Sequence, residues 1–129
     1  MVSNIFAILA LYGLWVLILL NAQAVMGIVQ HGVGTMLGAR DDVGPLTGRA
    51  ARLERAKDNS IVALALFAPA VLLQATKPMV LDSAVLAAQV FLVARLIYPF
   101  IYVAGIPGLR TLVWTAGMFA TVWLYVVAL

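Results

Sequence analysis

Four long apolar runs restrict this chain to folds that lie in a membrane. The runs cover residues 5–26, 60–75, 84–104 and 112–129. Each approaches the ~20 apolar residues that a helix needs to cross a bilayer. The second run is short, but its helix can be extended backwards through Leu53 and Ala56, which places charged first turns among the lipid head groups. The runs lack the apolar–polar alternation of membrane barrel strands. We therefore predict an all-α integral membrane protein, a bundle of four transmembrane helices.

The composition agrees with this assignment. The chain has 129 residues, of which 65% are hydrophobic and 10% charged, and its mean hydropathy is +1.10. Soluble domains are roughly half apolar and a quarter charged, so a water-soluble fold of this size could not hide so many apolar side chains. The length predicts a single domain over residues 1–129.

The scarcity of metal-ligating and thiol side chains excludes several functions. The chain contains no cysteine, which excludes thiolate metal sites and a quinone-linked thiol oxidoreductase. His31 is the single histidine, and one histidine cannot supply both axial ligands of a bis-histidine haem. We therefore expect no metal site.

The first run could be either a membrane helix or a cleaved signal peptide. Ala22-Gln23-Ala24 resembles a cleavage site with small residues on either side. However, no lysine or arginine precedes the run, whereas a signal peptide begins with a basic segment. We expect the helix to be retained.

The basic residues predict the orientation of the chain in the membrane. Five of the eight lie between the first and second runs, namely Arg40, Arg49, Arg52, Arg55 and Lys57. Lys77 lies between the second and third runs, and Arg110 follows the third. Basic loops favour the cytoplasmic side. The first and third loops are therefore predicted to be cytoplasmic, and both termini to be outside.

Turn-forming residues mark the ends of the predicted helices. The first loop is rich in glycine, which indicates irregular or broken chain between helices. Asp82 and Ser83 are candidates for the N-cap of the third helix. Residues 105–108 (Gly-Ile-Pro-Gly) predict a tight turn into the fourth helix.

Two helix faces carry polar residues that a membrane span would not ordinarily include. One face of the second helix is predicted to present Arg52, Arg55, Asn59 and Val62. One face of the third is predicted to present Arg95, Tyr98 and Tyr102. Ionisable groups inside a span are costly and indicate function. Because the second helix begins at the cytoplasmic side and the third returns there, these residues and Arg110 could converge on one cleft.

Each of these residues also has a structural interpretation. Arg52 and Arg55 could anchor the helix beside anionic lipid, and Tyr98 and Tyr102 could be interfacial tyrosines. Arg95 lies near the middle of its run, so it must find a partner or reach water. We expect a structural intramembrane role for it, with Asp58 or Asn59 as the partner. Gln74 and Gln89 are expected to form helix–helix hydrogen bonds.

These motifs resemble signatures of the MAPEG family, the membrane-associated proteins of eicosanoid and glutathione metabolism. The second-helix signature is matched at residues 48–52 (Gly-Arg-Ala-Ala-Arg), 55–59 (Arg-Ala-Lys-Asp-Asn) and 66–67 (Leu-Phe). The signature of the third and fourth helices is matched at residues 91–95 (Phe-Leu-Val-Ala-Arg), Tyr98, Tyr102, Gly105 and 109–112 (Leu-Arg-Thr-Leu).

The resemblance implies a homotrimer of a bacterial-type member. With the orientation predicted from the basic residues, it would lie in the inner membrane with both termini periplasmic. It implies that glutathione, as co-substrate, binds between subunits near the cytoplasmic face and attacks lipophilic electrophiles from the bilayer. Its ligands would be Arg52, Arg55, Asn59, Tyr98 and Tyr102, and Arg110 would be the catalytic, thiol-activating residue. Membrane lipids and lipophilic small molecules are the expected partners, and nucleic acid is not.

One position departs from the family pattern. Many of the family's enzymes have Asn-x-x-Glu on the second helix, and that carboxylate pairs with the ammonium of glutathione. Here Asn59 is followed by Val62 at the glutamate position. This leaves open a non-catalytic, lipid-binding or scaffold member of the same fold. Small multidrug transporters also have four spans, but they resemble one another in a glutamate on the first helix. The only glutamate here is Glu54.

Overall fold

A computed structural model describes residues 3–129 as five α-helices joined by short segments. The helices are α1 (Ile5–His31), α2 (Val33–Leu37), α3 (Gly48–Leu73), α4 (Asp82–Ala104) and α5 (Pro107–Ala128), and one 3-10 turn (Gln74–Thr76) extends α3. Within the described residues, all except the short α2 are long and apolar enough to cross a membrane. The predicted all-α fold with four candidate spans is confirmed.

α3 is much longer than the apolar run from which it was predicted. It begins at Gly48, and with the 3-10 turn its span covers 29 residues, so the backward extension through Leu53 is confirmed. A reciprocal pair of hydrogen bonds fixes this start beside the end of α1. The Gln30 amide donates to the carbonyl of Thr47 and accepts from its N–H, both at 3.1 Å.

The glycine-rich first loop is more ordered than its composition predicts. α1 continues past the apolar run through Gly27 to His31, and α2 follows almost at once. A Cβ at position 27 would lie 2.8 Å from Cε of Met36. Glycine there allows α2 to fold back onto α1. Residues 38–47 then connect to α3 without regular helix.

Of the two predictions for the ends of α4, the N-cap is wrong and the turn that follows the helix is confirmed. The N-cap is Leu81, which makes no side-chain hydrogen bond, and Asp82 is already the first helical residue. There its carboxylate is stabilised by the positive end of the helix dipole, and it does not cap a free N–H. The predicted turn after α4 is confirmed. Gly105 adopts a φ of +77°, and Pro107 is the first residue of α5.

Aromatic rings join α1, α3 and α4 in the core. The rings of Phe67 and Phe91 stack with centroids 3.7 Å apart, and Tyr12 packs edge-on against Phe91 at 4.9 Å. The Tyr12 hydroxyl donates to the carbonyl of Ser60 at 3.0 Å. Near the other end of α3, Gln74 Nε2 donates to the carbonyl of Leu124 at 2.9 Å. This confirms the predicted helix–helix role of Gln74.

Candidate functional site

A buried hydrogen bond between Arg95 of α4 and Asn59 of α3 forms the centre of the candidate site. Arg95 Nη1 donates to Asn59 Oδ1 at 3.0 Å, and the Arg95 side chain is 4% exposed. Of the two predicted partners, Asn59 is confirmed. Asp58 instead pairs with Lys57, 2.8 Å away. Inside the bundle, the charged guanidinium of Arg95 therefore donates to a neutral acceptor, the amide oxygen of Asn59.

The rest of the Arg95 guanidinium is enclosed by rings and by α5. Its Cζ lies 5.6 Å from the ring centroids of both Phe91 and Tyr98. A Cβ at Gly117 would lie 2.9 Å from Arg95 Nε, so α5 approaches the cation because residue 117 has no side chain. Within residues 3–129, Nε has no hydrogen-bond partner and Arg95 forms no salt bridge. The positive charge is therefore not neutralised by the part of the chain that the structure describes.

Aromatic contacts extend this pair to the start of α5. The rings of Tyr98 and Tyr102 meet edge to face with centroids 5.7 Å apart. Arg110 Cζ lies 4.8 Å from the centroid of the Tyr102 ring. We call the resulting set the polar row: Asn59, Arg95, Tyr98, Tyr102 and Arg110. The structure thus brings together five of the residues that the sequence singled out.

Arg110 occupies the first turn of α5. Its N–H bonds to the carbonyl of Ile106 at 3.1 Å, the first such bond of the helix. The N–H groups of Gly108 and Leu109 precede it and have no acceptor within the helix. A guanidinium and the positive end of a helix dipole therefore coincide at the end of the polar row, an arrangement that favours an anion.

Arg52 and Arg55 are not part of the polar row. Arg52 Nη1 donates to the carbonyl of Val103 at 3.1 Å, one of the last carbonyls of α4. A Cβ at Gly105 would lie 2.7 Å from the same nitrogen. Arg52 therefore covers the C-terminal end of α4, a favourable position for a cation. Arg55 is exposed on α3, one turn before Asn59.

Val62 borders an open cavity beside the Arg95–Asn59 pair. The cavity has a volume of about 270 Å³ and lies between α3, α4 and α5. Trp114 and Met118 line it from α5, and its walls include no carboxylate. An ammonium group bound beside Val62 would therefore find no carboxylate to pair with in this protomer.

Two contributors to this arrangement were not singled out from the sequence. Gly117 makes room for Arg95, and Trp114 lines the cavity. An isolated glycine within an apolar helix is a known signal of close helix packing, so Gly117 was open to detection. The sequence offered no comparable signal for Trp114.

One further result concerns metal binding, and the others come from comparison with known proteins. Within residues 3–129, no group of three His, Cys, Asp or Glu side chains could hold a metal ion. Comparison with protein families finds a match to the MAPEG family over residues 4–129. No curated protein and no solved structure matches the chain.

Proposed function

The chain belongs to the MAPEG family, and on that premise we propose that it is a membrane glutathione transferase or peroxidase acting on lipophilic electrophiles. The observation that carries the proposal is the polar row, a line of amide, guanidinium and phenol groups inside an otherwise apolar bundle. Such groups are costly in a membrane and are retained where they bind or react.

The charges of glutathione match the basic groups around the polar row. Glutathione carries two carboxylates and one ammonium, so most of its charge suits arginine, which can pair with a carboxylate through two parallel hydrogen bonds. In the proposal Asn59, Tyr98 and Tyr102 line the pocket and Arg55 binds a carboxylate. Arg52 is not included, because its guanidinium lies at the end of α4, away from the polar row.

Arg110 is the proposed thiol-activating residue. A free thiol has a pKa of about 8.5, and only the thiolate is a good nucleophile. Arg110 and the start of α5 would stabilise the thiolate sulfur electrostatically. That sulfur would then form a bond to the electrophilic carbon of the substrate, whose leaving group departs with the bonding electrons.

The proposed orientation follows from the basic residues near the start of α3. With the first loop cytoplasmic, the polar row opens towards the cytoplasm, and both termini are periplasmic in a bacterial inner membrane. This would give the site access to a water-soluble co-substrate from one side and to lipophilic substrates from the bilayer.

We further propose that the protein is a homotrimer with the site shared between subunits. Val62 and Leu66, beside the polar row, are 58% and 56% exposed in one protomer, so this face is open to a neighbouring copy. Native mass spectrometry from a mild detergent should give a trimer as the main species. A dominant monomer or dimer would contradict both the oligomer and the shared site.

A second candidate function, a non-catalytic lipid-binding protein of the same fold, is supported by Val62. Without a carboxylate at this position, the ammonium of glutathione would be buried unpaired, at a cost of about 2–4 kcal/mol. That corresponds to a ~30- to 1000-fold loss of affinity. A lipid without an ammonium would incur no such cost.

Isothermal titration of the purified protein with glutathione separates the two candidates. Val62→Glu should strengthen binding about tenfold, because a charge-assisted hydrogen bond to the ammonium contributes ~1.5–3 kcal/mol and part is spent on desolvating the carboxylate. Val62→Gln, with nearly the same shape and no charge, should gain much less. If neither the wild type nor Val62→Glu binds glutathione at millimolar concentration, the enzyme proposal fails and the lipid-binding candidate replaces it.

A further inference from the structure

A second and larger cleft lies away from the polar row, between α1, α3 and α4. Its volume is about 710 Å³. The walls are largely apolar: Trp15 and Ile18 lie on α1, and Phe100 lies on α4. None of the polar row borders it. Nothing in the proposed glutathione chemistry uses this space.

The cleft is basic at one end and apolar at the other. Arg49 and Arg52, on the first turns of α3, border it where α4 ends. At the opposite end the rings of Trp15 and Phe100 approach with centroids 5.8 Å apart. Arg52 is held in place by its hydrogen bond to Val103, which uses one of its five N–H donors. The others remain available beside Arg49.

On α1 the cleft runs for about the depth of one bilayer leaflet, and on α4 for about half of that depth. Trp15 and Met26 both line it from α1. Their positions differ by eleven, which is about 16 Å along a helix that rises 1.5 Å per residue, whereas the α4 lining, from Pro99 to Ala104, covers about 7.5 Å. The hydrocarbon core of a bilayer is ~30 Å thick, so each leaflet contributes about half of that. The basic end coincides with the charged start of α3, at the level of the head groups.

We propose that this cleft binds one anionic phospholipid of the surrounding membrane, with an acyl chain along α1 from Met26 towards Trp15 and the phosphate at Arg49 and Arg52. Charge complementarity selects the head group, and the apolar side chains of α1 and α4 contact the chain. The proposal does not depend on glutathione binding, and either one can fail without the other.

Quenching of Trp15 fluorescence by brominated lipids tests the proposal. The full chain, with Trp114 and Trp123 replaced by phenylalanine, is reconstituted in vesicles containing phosphatidylglycerol or phosphatidylcholine brominated near the chain ends. A basic residue next to anionic lipid favours binding about fivefold. With two such residues, brominated phosphatidylglycerol should give the same extent of Trp15 quenching at about one-thirtieth of the concentration that brominated phosphatidylcholine requires.

Variants distinguish a built site from general attraction to a basic surface. Arg49→Gln should reduce the preference for phosphatidylglycerol about fivefold, and the double variant with Arg52→Gln should abolish it. Arg55→Gln, which removes an exposed arginine of the same helix outside the cleft, should leave it unchanged. Ala22→Leu, which fills the cleft, should weaken quenching by both lipids.

Three outcomes would overturn the proposal. Equal quenching by the two lipids would remove the head-group selectivity. An equal effect of Arg49→Gln and Arg55→Gln would reduce the preference to surface charge. Absence of quenching by either lipid would mean that another copy of the chain covers the cleft.

Discussion

Replacing Arg110 with alanine is expected to lower the thiolate fraction of bound glutathione, and with it the rate of conjugation, by up to about thirtyfold at pH 7. An opposite charge within about 4–6 Å lowers the pKa of an acid by about 1–3. Without that charge the thiol returns towards a pKa of about 8.5, at which only about 3% is ionised at pH 7. The ultraviolet absorption of the thiolate and the pH dependence of the rate both report this change.

Matched substitutions separate activation from binding. Arg110→Lys keeps the positive charge and should retain much of the thiolate. Arg55→Ala should weaken glutathione binding and leave the thiol pKa unchanged, because that residue is proposed to hold a carboxylate. An Arg110→Ala variant with an unchanged thiolate band would remove the catalytic role from Arg110.

The second large effect is expected at the Arg95–Asn59 pair. Asn59→Leu should destabilise the protein by about 3 kcal/mol, because the hydrogen bond to the charged guanidinium contributes about 1.5–3 kcal/mol and the cation stays buried after its acceptor is lost. Reversible unfolding in mixed detergent micelles measures the loss of stability. Asn59→Ser, which retains an oxygen acceptor, should lose less.

Removing both partners should cost less than removing one. Apolar replacement of an entire buried charged pair is often neutral or stabilising, whereas removal of one partner leaves an uncompensated charge. The double variant Asn59→Leu, Arg95→Met should therefore recover most of the stability lost in Asn59→Leu. If the double variant is as unstable as the single one, the pair is not the source of the effect.

The parts of the fold that could be predicted are those governed by local chemistry. The number of spanning helices follows from the apolar runs, and Gly105 with Pro107 determines the turn between α4 and α5. Asn59 was identified as a partner of Arg95 because a cation within a span must be solvated by something close to it. In each case a few neighbouring residues contain the information.

The parts that could not be predicted depend on which neighbour a side chain reaches. Helical periodicity places Arg52 and Asn59 on one face of α3, but a long flexible side chain can turn to either adjacent helix. The Arg52 side chain turns to the end of α4. There its Nη1 donates to the carbonyl of Val103, and the missing side chain at Gly105 leaves room for the guanidinium. The cap of α4 was misassigned because Asp82 suits both the cap and the first turn, and periodicity does not distinguish them.

The position of Arg95 within α4 has a consequence for how the chain enters the membrane during translation. Insertion measurements assign an arginine at a helix centre a cost of ~2.5–3.5 kcal/mol, so α4 by itself is a poor insertion substrate. α3, which carries the Asn59 acceptor, is synthesised first. Gly117 follows closely, since only Gly105 and Ile106 separate α4 from α5. Asn59 is therefore synthesised before Arg95, and Gly117, where α5 covers the guanidinium, soon after it. We expect α4 and α5 to leave the translocon together as a hairpin against α3.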